Sequence, residues 1–210
     1  MSSRNSSRKV RGVGMVVRWF VAVCVALNAL GLSGCATVPE TPTALPSAAS
    51  LDAFALEGRF SLYQDTRGYS GRLSWTHTPA ASEVLLSSPL GQGMAEIVVD
   101  AAGARLKAGD GKVYAAPDVD TLTREVLGYA LPLAQLADWV RGRSGGGEVV
   151  HDALGRITQL RHEDWRVTYG YRGSEAGVPP IRLDAQRLGE FELRLFIDEW
   201  RSLSAPEVRQ

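Results

Sequence analysis

From Phe54 onward the chain alternates apolar and polar residues with a period of two, and this limits its fold more than any other feature. Phe54, Leu56, Gly58, Phe60 and Leu62 fall on one face of an extended segment, and Glu57, Arg59, Ser61 and Tyr63 fall on the other. Successive side chains of a strand point to opposite faces, so such a segment is a strand buried on one side. Thr66-Arg67-Gly68 reads as a turn, after which Tyr69, Gly71, Leu73 and Trp75 repeat the alternation and complete an antiparallel hairpin. Further strands are expected over residues 82–87, 94–100, 104–108 and 112–116, the last two joined by the turn Gly109-Asp110-Gly111.

The period changes after Pro117. Asp118 is a good helix N-cap, Val119, Leu122 and Val126 follow at helical spacing, and Gly128 ends the run. A second short helix is expected from Leu131-Pro132, with Leu133, Leu136, Trp139 and Val140 on one face and Gly142 as its stop. Arg143 to Gly147 is a glycine-rich linker. Strands resume over 148–151, 156–161, 165–172, 181–187 and 190–201, with turns at Asp152-Ala153-Leu154-Gly155 and His162-Glu163-Asp164 and a longer loop over 173–180. The fold class is therefore mainly β with an α lid. About eleven antiparallel strands normally curl or split, and a curved, unclosed barrel capped by the two short central helices is expected.

The N-terminal part is of another kind. Arg4, Arg8, Lys9, Arg11 and Arg18 precede an apolar stretch from Trp19 that ends in Leu32-Ser33-Gly34-Cys35. The stretch is broken by Asn28 and is shorter than the ~20 apolar residues that span a bilayer. A basic start, an apolar run and a small-residue box ending in cysteine make a bacterial lipoprotein signal. The expected organisation is a signal peptide over 1–34, a lipidated tether over 35–53 and a folded domain over 54–210. Met15 is an alternative start to Met1. Acylation is expected on Cys35, where ~0.8 kcal/mol per buried methylene makes a multi-chain anchor permanent. Ala36 follows the cysteine and favours sorting outward, and the tether is rich in proline, alanine, threonine and serine.

Charge narrows the partners. Five of the 23 basic residues precede Cys35 and none of the 23 acidic ones does, so the chain from Cys35 onward has a formal charge of −5. Nucleic acid is not an expected partner, because such binding rests on neutralising phosphates. Both cysteines are accounted for, Cys24 in the signal and Cys35 in the anchor, so a packed core must hold the domain together. His77, His151 and His162 are the only histidines, and none has metal-ligand spacing. There is no nucleophile elbow, phosphate loop or dinucleotide fingerprint in the mature chain. No enzyme activity, metal or cofactor is expected.

Pro89-Leu90-Gly91, between the third and fourth strands, puts a large apolar side chain near the tip of a turn, where polar residues are usual. From the residues alone, Leu90 either folds back as a plug or stands exposed against something apolar. At this point the chain resembles the outer-membrane lipoprotein receptor family LolB. The resemblance runs from about Phe54 to Trp200. It rests on Leu56-Glu57-Gly58-Arg59, Leu73-Ser74-Trp75, Ser88-Pro89-Leu90-Gly91-Gln92, Asp110-Gly111, Gly128-Tyr129-Ala130-Leu131-Pro132-Leu133 and Leu136-Ala137-Asp138-Trp139-Val140-Arg141-Gly142, with Trp165 and Ile197-Asp198-Glu199-Trp200 fitting as well.

The resemblance implies a half-barrel with an apolar cavity under a helical lid. It implies a monomer on the periplasmic face of the outer membrane that accepts lipoprotein acyl chains from the carrier LolA and places them in the outer-membrane lipid, without nucleotide or metal. Leu90, flanked by Pro89 and Gly91, matches the residue that protrudes for membrane insertion. An acyl cavity is walled by apolar side chains of the concave sheet face and the lid. Candidates are Phe60, Leu73, Trp75, Leu86, Ile97, Val99, Leu122, Val126, Leu136 and Trp139. The competing expectation is a lipid-anchored structural or assembly lipoprotein that binds protein partners and has no acyl cavity.

Overall fold

The computed structural model describes residues 45–64, 67–128, 131–187 and 191–203. The signal, Cys35 and the tether up to residue 44 lie outside the described residues, as does Thr66 of the expected first turn.

Eleven strands form one antiparallel sheet: β1 (Phe54–Gln64), β2 (Arg67–Thr78), β3 (Ala81–Ser87), β4 (Gly93–Asp100), β5 (Gly103–Ala108), β6 (Val113–Ala116), β7 (Glu148–His151), β8 (Ile157–His162), β9 (Trp165–Gly170), β10 (Arg182–Arg187) and β11 (Phe191–Ser202). The order across the sheet is β6-β5-β4-β3-β2-β1-β11-β10-β9-β8-β7. Each half is thus a run of hairpins, and the first strand is joined to the last along its whole length, from Phe54 opposite Ser202 to Gln64 opposite Phe191. The four-residue strands β6 and β7 are the two edges and do not pair with each other, so the barrel is unclosed. Edges this short present few free backbone groups for mispairing.

Two glycines let the sheet curl. A Cβ on Gly58 would stand 2.3 Å from the Phe196 carbonyl oxygen, and one on Gly71 would stand 2.0 Å from that of Ser87. The register shifts at Glu57/Gly58 and at Leu86/Ser87, beside these close approaches. Bulges bend a strand and increase its twist, which turns a wide sheet into a trough.

The connection between the two edges carries the helices α1 (Val119–Leu127) and α2 (Leu133–Val140). Asp118 caps α1 by accepting from the Thr121 amide at 2.7 Å, which holds its carboxyl below the usual range, and Gly128 closes the helix at φ 87°. The second helix starts at Leu133 and not at Leu131-Pro132, because Pro132 takes the cap position with a non-helical backbone at φ −76° and ψ 68°. α1 packs on β5 and β6, and α2 turns Leu136, Ala137, Trp139 and Val140 inward.

Local departures from the expected pattern have simple causes. β2 begins at Arg67, because Gly68 pairs with Tyr63 and lies under its ring rather than in the turn. His162-Glu163-Asp164 contains the tight β8–β9 turn, with Glu163 at φ 50°. Ser47 caps the 3-10 segment Ala48–Ser50, whose first amide donates to the Gly177 oxygen at 2.8 Å. Leu51 is fully buried with Phe54, so packed structure begins ahead of Phe54.

Candidate functional site

Alternation along each strand places its apolar side chains inside the trough, and register then decides which of them meet. Phe60 stands opposite Leu195 and Gly71, Leu62 opposite Leu193, Leu73 opposite Leu86, and Trp75 opposite Val84, which faces Ile97. Leu131, Leu133 and Leu136 cover them from the lid side, and Phe191 stands beside Leu62. Apart from Gly71, these residues, thirteen in all, line a cavity of about 80 Å³ with an apolar wall.

Of the residues marked in the sequence, Phe60, Leu73, Trp75, Leu86, Ile97 and Leu136 line this space. Val99, Leu122, Val126 and Trp139 do not. Leu122 is fully buried on the face of α1 that packs against β5 and β6. Trp139, also fully buried, lies with its ring 5.9 Å from those of Trp165 and His162, so it packs the lid onto β8 and β9. Leu62, Val84, Leu131, Leu133, Phe191, Leu193 and Leu195 were not marked. Leu62 carried the same signal as Phe60. The β11 residues were hidden because nothing local says that the last strand pairs with the first.

The two ends of the trough differ. At one end Phe54 makes edge contacts with Trp75 and Trp200, each at 5.4 Å between ring centroids. The Trp200 indole donates to the Pro180 oxygen at 3.0 Å. Arg141, buried at the end of α2, donates to the Ala137 oxygen at 2.7 Å and the Leu51 oxygen at 3.2 Å and pairs with Asp138. Burial lowers its pKa from the ordinary arginine value, foremost by desolvation, and these acceptors keep the charge paired. Thr123 fixes the other part of the lid by accepting from the Leu131 amide at 2.9 Å.

At the opposite end, beyond β3, Ser88 to Gln92 form a tight loop. The Ser88 oxygen accepts from Gly91, its amide donates to the Gln92 oxygen, both at 2.8 Å, and its hydroxyl accepts from the Gln92 amide at 3.2 Å. Proline after the first turn residue and glycine at φ 85° suit this geometry. Leu90 is 91% exposed, more than any other large apolar residue described. The plug reading of Leu90 is excluded by this exposure. The loop is hydrogen-bonded across its base and apolar at its tip.

Chemically the cavity wall offers apolar contact. Among the described residues no three histidine, cysteine or acidic side chains come together as metal ligands. Tyr169 has a phenol that burial pushes far above its ordinary range, which suits a neutral interior group and not a proton donor.

Residues 52–200 match the family model described as outer membrane lipoprotein LolB. The chain belongs to the LolB family. It is 40% identical over 193 residues to the outer-membrane lipoprotein LolB of Dechloromonas aromatica, covering 89% of this chain and 98% of that protein. It is 39% identical over 181 residues to that of Thiobacillus denitrificans, covering 85% and 96%. With that of Azoarcus sp. it is 36% identical over 190 residues, covering 89% and 97%.

Proposed function

We propose that the protein is an outer-membrane lipoprotein that takes the acyl chains of other lipoproteins under its lid and passes them to the bilayer past the Leu90 loop. Cys35 anchors it to the membrane at the periplasmic face, and the donor is a soluble carrier of the LolA type. The observation that carries this reading is the pairing of a wholly apolar cavity with a hydrogen-bonded loop that holds one leucine 91% exposed.

The cavity of about 80 Å³ is well under the ~300 Å³ of the smallest ordinary ligand sites, so on this reading α2 and Leu131 move away from the sheet when a chain enters. No catalytic step and no nucleotide are needed. A tenfold preference over the donor requires ~1.4 kcal/mol, about the gain from burying one or two more methylenes. Inserting Leu90 into lipid gives ~1.5–3 kcal/mol, enough for reversible contact and too little to anchor.

The test is transfer in solution. A carrier loaded with a labelled lipoprotein is mixed with the protein, and the label is followed to the new complex and then to liposomes. Transfer to the protein without ATP, with saturable displacement by a fluorescent fatty acid, is expected. No saturable uptake would leave the structural or assembly lipoprotein as the better reading.

A further inference from the structure

Behind the cavity wall the outer face of β1 to β5 holds a groove of about 630 Å³, within the size of an ordinary ligand site. Its lining includes Arg72, Lys107, Glu57 and Glu96, with Leu85 and Ser87 between them. Register explains the set. Ser74, Leu85, Glu96 and Lys107 form one cross-strand row, and Arg72 stands opposite Ser87 in the next. Leu73 and Leu86 line both this groove and the acyl cavity, so only the strand layer separates the two.

The charges are arranged unusually for this molecule. Most arginines on the outer face are held by a neighbouring acid, as Arg59 is by Asp198 and Arg182 by Asp184. Arg72, Lys107 and Glu96 make no side-chain hydrogen bond or ion pair among the described residues, although Glu96 and Lys107 face each other across β4 and β5. Glu57 is occupied by the Ser74 hydroxyl at 2.8 Å. Leu85, beside them, is 42% exposed. The groove therefore offers two free cations, one free carboxylate and an apolar patch. It adjoins the Leu90 loop, which starts one residue after Ser87.

We propose that this groove is a binding site for the head group of a glycerophospholipid, with the phosphate between Arg72 and Lys107 and the glycerol end against Leu85. The proposal rests on the reading of Leu90 as a membrane contact and adds to it the lipid recognised there. A leucine that enters the acyl region brings the base of its loop to the depth of the phosphates, and free cations at that depth attract them. Glu96 would then favour a head group that also carries an ammonium.

The experiment uses the full lipidated chain in vesicles that contain radiolabelled phospholipid, with a photo-crosslinking side chain in place of Leu85 or, as control, of Phe196 on the outer face of β11. Labelling is expected at Leu85 and not at Phe196. It should fall by about twentyfold when Arg72 and Lys107 are both changed to Gln, two exposed charges being lost, and should persist when they are exchanged to Lys and Arg. Vesicles with an ethanolamine head group should label more than those with glycerol. Equal labelling of Leu85 and Phe196, no effect of the double change, or displacement by millimolar inorganic phosphate would each overturn the proposal. Failure here with delivery still dependent on Leu90 would refute the groove alone, whereas normal delivery by Leu90→Glu would refute the membrane role of the loop.

Discussion

The two ends of the trough are built by the same rule and come out opposite. At the Phe54 end the inward side chains meet other side chains: Trp75, Trp200 and Leu51 fill the space, and Arg141 ties α2 to the backbone at Leu51. At the other end Leu62, Leu86 and Phe191 also face inward, but Leu131 and Leu133 of the lid segment, which lie across from them, leave a gap. Alternation thus determines which residues face inward, and what lies across from them determines core or cavity. One end is packed and the other holds the cavity.

The largest effect expected from breaking this contrast lies at the packed end. Trp200→Ala should cost about 3–5 kcal/mol, since it removes a buried indole together with its hydrogen bond, and the midpoint of denaturant unfolding reports it. Arg141→Ala should cost about 2–3 kcal/mol by leaving the Leu51 and Ala137 oxygens unpaired, with Arg141→Lys recovering only part in the same measurement. At the cavity end the order of effects should reverse. Val84→Phe fills the space beside Trp75 and should change stability by no more than about 1–3 kcal/mol, while fluorescent fatty acid binding is lost.

The smallest effect concerns pH. His77, beside Phe54 and bonded to Ser82, has its pKa lowered, chiefly by burial and then by Arg141. The unfolded chain therefore takes up the proton first. Its contribution is complete above the unfolded value of about 6.5 and is lost as pH falls toward and through the lower folded one. Thermal melting between pH 7.5 and 5 should show a decline that His77→Gln makes shallower.

How far the sequence was legible follows the same division. Local pattern sufficed for the strands, for the presence of both helices and for the Asp118 and Gly128 caps of α1, because alternation and capping act between near neighbours. Pairing of β1 with β11 has no local signature, and with it were lost Phe191, Leu193 and Leu195 as cavity walls. Trp139 shares a helix with Leu133 and Leu136, which do line the cavity, whereas Leu122 lies on α1, which contributes nothing to it; only the crossing of each helix over the sheet separates them. The close approaches at Gly58 and Gly71 looked in the sequence like ordinary members of an apolar face. Leu90 was conspicuous for the opposite reason: an apolar residue set between proline and glycine contradicts turn chemistry. The structure resolves that conflict by exposing it.

The most direct test of the account is Leu90→Glu, followed through both steps of transfer. Leu90 touches neither the cavity nor the packed end, so the variant should fold and should strip a lipoprotein from its carrier at the normal rate, yet deliver to liposomes at least tenfold more slowly, about 1.4 kcal/mol of lost membrane contact. Delivery at the normal rate would contradict the account.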